Sequence, residues 1–521
     1  MKLEKIDLEE ANCFSSIFLN YINRDEKLNP FYHHYPAPED FQKQIEAKSS
    51  FESRKRKVLQ EVINQQYEGL EKSAHFTENL KLLEEDKSFT VTTGHQLNVF
   101  TGPLYFIYKI ITTINLAAKL KEKYPDYNFI PIYWMASEDH DFAEINHFRL
   151  FDRQYQWQTE QKGAVGRFSL EGMEQLTGEL PELLPLFERA YLNQNNLSDA
   201  TRYIANELFG AQGLIAVNAD DHTLKHEFAE IMQQDILEEN SNRLVENTSE
   251  KLNQAGYKNQ VFSRQINFFY LDENIRGRLV RRENEEFEVL NTDLKYTEEE
   301  LKTIIKEAPE KLSPNVITRP LYQEVVLPNI AYIGGPAEVA YWLQLKEVFQ
   351  HYQIPFPIVM PRNFALVVNK SSTKKLYKLA IKPADLFLEP HQLKERYILQ
   401  NSEGTYQLNE QKKKLQQVFA EIVKKAEGID KSLTGAVGSE QSKAEKILDN
   451  LEKRLKKAEE KNQEVALRQV EKLKEKLFPD GSLQERKDNL LNFYLNDSSF
   501  LQKLLDKFDP FDYRFNVLIE E

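Results

Sequence analysis

The chain has 521 residues, with 82 acidic against 68 basic side chains and a formal net charge of −14. Its length suits a large core divided into two or three domains, and the acidic balance gives no support to nonspecific binding of nucleic acid or of an anionic membrane, which need a basic surface. The lone cysteine, Cys13, leaves no disulfide framework, CxxC pair or thiolate zinc site; with no apolar leader and no apolar run near ~20 residues, a cytoplasmic chain that spans no membrane is expected.

Residues 1–87 are expected to be a helical lead-in, because Phe41–Leu59 and Val62–Leu83 carry apolar residues at three and four spacing within charged faces. The stretch Phe89–Lys109, FTVTTGHQLNVFTGPLYFIYK, organises the core. Phe89, Val91, Thr92 and Thr93 predict a buried strand. Gly94, His95, Gln96 and Asn98 form a polar turn, and Gly102–Pro103 opens a helix through Leu104, Ile107, Tyr108 and Ile111. Ligands of open α/β sheets bind at such strand ends. Thr93, Gly94, His95, Gln96, Asn98 and Gly102 are therefore candidate site residues, against the alternative of an ordinary βα turn with a satisfied histidine.

Asn128–Asp141, NFIPIYWMASEDHD, repeats the pattern: an apolar run of strand length ends in Glu138, Asp139, His140 and Asp141. Charges packed behind a buried strand are costly unless they face a solvated cleft, although an acid-rich helix start would look the same. Their spacing matches no metal-ligand pattern, so no metal is predicted. After a motif-poor insertion at about 148–208, Gly213–Asp221 gives a third strand ending in Asp220 and Asp221. Three such strands separated by helical segments predict a doubly wound parallel sheet.

A second insertion, about 259–312, reads as a small subdomain of short apolar stretches. Beyond it, Arg319 is a fixed cation for a carboxylate, Gly334 and Gly335 allow close backbone approach, and Glu338 falls in a helix's first turn. A last core strand, Pro357–Met360, leads to Arg362 and Asn363. The core is thus expected over 88–380, followed by a coiled-coil hairpin at 381–478 with Gly435 and Gly438 between its helices and Asn462 on its seam. Residues 479–521 are expected to be helical and to pack back on the core; there Gln484 and Arg486 are candidates for a phosphate or carboxylate.

Taken together, TTGHQ…TGPLYFIYK, WMASEDHDFAEI, the RPL…LP…YIGGPAEVAYW block, the hairpin and FPDGSLQER resemble the bacillithiol biosynthesis cysteine-adding (BshC) family, in order from about 88 to 500. The resemblance implies a Rossmann-like core related to nucleotidylyltransferases and class I aminoacyl-tRNA synthetases, with insertions and a coiled-coil domain that forms a homodimer. It also implies a cytoplasmic ligase joining L-cysteine to the amine of glucosaminyl malate. In that chemistry His95 would stabilise charge on a transferring phosphate, Asp139, His140 or Asp141 would deprotonate the amine, and Arg319 and Arg362 would hold malate carboxylates. ATP is a possible co-substrate, though neither a KMSKS nor a GxxxxGK loop marks its site; Gln484 and Arg486 are the candidates for a nucleotide. A nucleotidylyltransferase acting on another acid, and a coiled-coil scaffold with an inactive core, are the alternatives.

Overall fold

The computed structural model describes residues 1–283, 285–402 and 406–521. Eight strands frame the core: β1 (Lys2–Ile6), β2 (Ser88–His95), β3 (Asn128–Met135), β4 (Ile215–Asn218), β5 (Asn329–Gly334), β6 (Ile358–Pro361), β7 (Ala365–Val368) and β8 (Phe515–Ile519). The central sheet runs β6-β5-β2-β3-β4, with every pair parallel. The chain enters at β2 in the middle and moves through β3 to β4 on one side. It then returns to build β5 and β6 on the other, so the winding reverses between β2 and β5, where open α/β sheets leave a crevice. All eight residues of β2 are buried, as its β-branched run and the helices on both faces require. Helix α1 (Tyr105–Lys123) follows β2 and packs on both β2 and β3. The Rossmann-like, doubly wound expectation is met.

A second sheet, β1-β8-β7, joins the chain's two ends: β1 is antiparallel to β8, and β8 is parallel to β7. This corrects the all-helical expectation for residues 1–87 and 479–521. Five residues of alternating charge in Lys2–Ile6 are too few to show a period, and an edge strand needs only one apolar face. The insertion near 259–312 is an antiparallel sheet built on Phe268–Asp272 and Ile275–Arg281, whose outer strand Leu312–Pro314 leads back to the core.

The helical pair is α2 (Asn409–Ile429) and α3 (Leu433–Asn462), antiparallel, with Lys412 bridging Asp449 and Glu452 while Gln416 meets Glu445. Gly435 and Gly438 lie inside α3, not between the helices. The reversal uses Asp430, whose carboxylate accepts the Ser432 N–H at 2.8 Å, and exposed helical glycines cost only about 1 kcal/mol each. Asn462 ends α3 and is exposed. No helix among the described residues is long and apolar enough to cross a membrane.

The turn after β2 is strained and held from outside. Phe100, Thr101 and Gly102 have φ of 51°, 68° and 57°, a left-handed run that persists only where its surroundings fix it. Tyr191 Oη accepts the Phe100 N–H at 2.6 Å, and the buried Asn489 amide donates to the carbonyls of Phe100 at 2.7 Å and Gly102 at 2.6 Å. A Cβ on Gly102 would lie 2.5 Å from Asn98 Cβ. Asn489→Ala should leave two buried carbonyls unpaired and cost about 2–4 kcal/mol, read as a lowered unfolding midpoint in urea with an unchanged m-value.

Candidate active site

The ends of β2 and β5 meet at the winding reversal, pinned by Thr93 Oγ1 donating to the Ile333 carbonyl at 2.8 Å. Immediately beyond, His95 is buried, stacked on Phe106 with centroids 4.9 Å apart and edge-on to Tyr105 at 5.2 Å. Burial, then the charges of Lys109 and Arg362, hold its imidazole well below the ordinary range. Asn98 Nδ2 sits 3.1 Å from His95 Nε2, an arrangement that favours the tautomer with its lone pair on Nε2 and its proton on Nδ1.

Sequence reasoning missed Lys109, the anchor beneath this turn. Its buried Nζ donates to the Gly94 carbonyl at 2.5 Å and to both oxygens of Glu338 at 2.9 and 2.7 Å. A lysine among Ile107, Tyr108, Ile110 and Ile111 was the available signal, because Lys is almost never fully buried unless paired. Glu338 also accepts from Tyr332 Oη at 2.6 Å and from the Gly335 N–H at 2.8 Å. Burial opposes its charge, but Lys109 and these donors keep its carboxyl below the usual range. It still exposes 27% of its side chain.

Glu338, Tyr332, Lys109, Gly94 and Arg319 border a cavity of roughly 270 Å³. A Cβ on Gly94 would stand 3.1 Å from Tyr332 Oη and 3.4 Å from Arg319 Nη1, so glycine lets this cluster close over the strand end. Arg319 donates to Gln323 Oε1 at 3.1 Å and Tyr341 Oη at 3.3 Å. Among the described residues it forms no ion pair. Gln323 in turn donates to Glu324, which is salt-bridged in the interior to Lys48.

A second cavity, roughly 450 Å³, shares Trp134, Ala136 and Arg319 with the first and extends under the 259–312 insertion. Asp139 lies at its edge. Burial raises its pKa, but hydrogen bonds from His140 and Gln96 and the nearby Arg276 outweigh this and hold the carboxyl far below the usual range; Gln96 Nε2 is 2.8 Å from Asp139 Oδ2. Arg276 Nη1 donates to His140 Nδ1 at 2.6 Å and stacks on Phe269 at 4.0 Å. Arg276, unforeseen from sequence, arrives 137 positions after Asp139 through the insertion. Asp141 is exposed and lines neither cavity.

Other candidates hold the scaffold. Arg362 is buried, with its Nη atoms on Glu485 at 2.5 Å and the Asn363 carbonyl at 2.9 Å. Among the described residues its Nε alone has no partner, and it lies 3.9 Å from the Cβ position of Gly335. Asn363 bonds Thr112 and the Asp509 carbonyl. Gln484 is buried and spends its carbonyl and amide on the backbone of Val367, which corrects its reading as a nucleotide contact. Arg486 approaches the Tyr105 ring at 5.8 Å in a separate polar cavity with Gln96 and Asn98. Among the described residues no group of three His, Cys, Asp or Glu side chains is placed to hold a metal.

Residues 1–363 match the family description "Bacillithiol biosynthesis BshC, N-terminal Rossmann-like domain", and residues 365–520 match "Bacillithiol biosynthesis BshC, C-terminal coiled-coil domain". The chain belongs to the bacillithiol biosynthesis BshC family. Over its full length it is similar to proteins carrying the name "Putative cysteine ligase BshC". It is 41% identical to that of Flavobacterium psychrophilum, covering 99% of both chains, and 43% identical to that of Christiangramia forsetii, covering 98% of both. Against that of Flavobacterium johnsoniae it is 40% identical, over 99% of this chain and 100% of the other. The resemblance seen in the motifs is confirmed; the central parallel sheet lies within the first matched region and the helical pair within the second.

Proposed function

We propose that this chain joins L-cysteine to the amine of glucosaminyl malate, the last step of bacillithiol synthesis, in the cytoplasm. The observation that carries the reading is the pair of unequal cavities meeting at one wall of Trp134, Ala136 and Arg319. Amide formation needs such an arrangement, because a carboxyl carbon and an amine held in contact react as if in one molecule. The smaller cavity suits an α-amino acid, with its ammonium on the exposed face of Glu338 and its carboxyl group near Arg319. The larger one suits the sugar and its acid, with the amine directed at the shared wall.

A free carboxylate does not acylate an amine at a useful rate, so the cysteine carboxyl must first be activated. An acyl adenylate made from ATP is the simplest activated form. Gly94, His95 and the Gly334–Gly335 turn would border its phosphate, and the unpartnered Nε of Arg362 supplies a buried donor there. The proton on His95 Nδ1 is available to stabilise developing negative charge. Asp139, firmly ionised, accepts from the sugar ammonium rather than removing its proton. His140 receives that proton once a substrate carboxylate draws Arg276 off its Nδ1.

Exposed Val418, Ile422, Ile429, Leu433, Ile447, Leu451 and Leu455 on α2 and α3 support a homodimer through the coiled coil, which sedimentation of the full chain measures. The functional reading is tested by mass-spectrometric detection of bacillithiol from purified protein, L-cysteine and glucosaminyl malate, with and without ATP. Cysteine-dependent product is expected. Pyrophosphate exchange with a different acid and no bacillithiol would overturn the reading in favour of a nucleotidylyltransferase; product without ATP would remove the adenylate alone.

A further inference from the structure

Four arginines line the larger cavity in a chain whose overall charge is −14. They come from separate elements: Arg264 from the loop before Phe268–Asp272, Arg276 and Arg278 from Ile275–Arg281, and Arg319 from the core helix Arg319–Val326. Arg264 and Arg278 are exposed, and among the described residues neither side chain has a hydrogen bond or ion pair. Arg319 likewise lacks a carboxylate partner, and Arg276 shares Asp139 only at 3.7 Å. The cavity's second acid, Glu138, is already neutralised by the buried Lys225. The balance left in the cavity is positive. Unpaired arginines converging on a concave surface repel one another, and bidentate guanidinium–carboxylate pairing is the interaction that relieves them.

We infer that this cavity is a dicarboxylate subsite, and that Arg264 and Arg278 of the insertion determine specificity for the dianionic end of the acceptor substrate. The inference rests on the ligase reading and adds the residues that choose the acceptor. A dicarboxylate fits better than a phosphate because the four arginines come from three separate elements and so reach the cavity from different sides. Phe262, Phe268 and Val316 between them supply apolar contact for a carbon skeleton. The insertion thus acts as the acceptor reader, while the core ends of β2 and β5 serve the amino acid.

The test uses the full-length protein and its Arg264→Gln, Arg278→Gln and double variants. Both side chains are exposed and unpaired, so the unfolding midpoint should not fall. Each single variant should raise KM for glucosaminyl malate roughly 10-fold or more, with kcat and the KM for cysteine within about twofold, and the double variant should accept the acceptor's monoamide almost as well as the diacid. Unchanged KM in the double variant would overturn the inference while leaving the ligase reading intact. If the wild type makes no product, calorimetric titration still decides: L-malate should bind the wild type and not the double variant. Equal binding of L-malate to both proteins, or inorganic phosphate binding as tightly as L-malate, would overturn the dicarboxylate assignment.

Discussion

Lys109→Met should unfold more easily than any surface variant of this chain, by about 3–5 kcal/mol, and should lose most activity. The side chain is 2% exposed, and among the described residues its ammonium is the only cation paired with Glu338. Breaking a buried pair by removing one member leaves an uncompensated charge, which costs more than the intact pair contributes. The same ammonium fixes the Gly94 carbonyl, so the floor of the smaller cavity and the cap at Gly335 loosen together.

The pH dependence of that loss identifies its cause. In the native chain the Glu338 carboxyl titrates below its ordinary range. Its contribution is therefore present above about pH 4.5 and lost as pH falls through the folded value. Without Lys109, burial dominates and the carboxyl titrates above that range, so the folded variant binds the extra proton. Stability of Lys109→Met should then rise as pH is lowered from about 8 toward the ordinary carboxylate value near about 4.5, a span over which the Glu338 contribution in the wild type stays level. The double variant Lys109→Met/Glu338→Gln should recover part of the loss at the upper end of that range. Thermal unfolding across it measures both, and a pH-independent deficit would show that lost packing, not a stranded carboxylate, is responsible.

The elements read from sequence were those whose cause is local. β2, β3 and α1 follow from β-branched and apolar runs bounded by Gly94, Ser137 and Pro103, and the polar ends of β2, β3 and β4 fall together at the carboxyl edge of the parallel sheet. What escaped depends on contacts distant in the chain. The order β6-β5-β2-β3-β4 leaves no local trace, yet it decides that Gly94 faces Gly334 rather than Asn218. Arg319 was legible as a cation before a glycine turn, whereas Arg276 sits among other insertion arginines and gains meaning only beside His140 and Phe269. Gln484 and Arg362 illustrate the reverse: polar residues near motifs whose hydrogen bonds close the joint between the core and the carboxyl-terminal segment.

His95→Ala should lower kcat by about 10²–10³-fold, the usual cost of losing one preorganised donor to a developing anion. The KM values for cysteine and the acceptor should change far less, since His95 is enclosed by Phe106, Tyr105 and Asn98. The imidazole acts as a neutral donor: burial and two nearby cations oppose its protonation, and the Asn98 amide would oppose an Nε2 proton. Between about pH 6 and 8 the rate profile should therefore carry no inflection assignable to His95. Stability supplies the second readout. A histidine whose folded pKa is depressed binds its proton first in the unfolded state, so its contribution is complete above about pH 6.5 and is lost as pH falls below it. The wild type should lose stability between about pH 6.5 and 5 more steeply than His95→Ala. A rate limb with a midpoint near about 6.5 that vanishes in the variant would instead make His95 a titrating acid or base, and the neutral-donor role would fall.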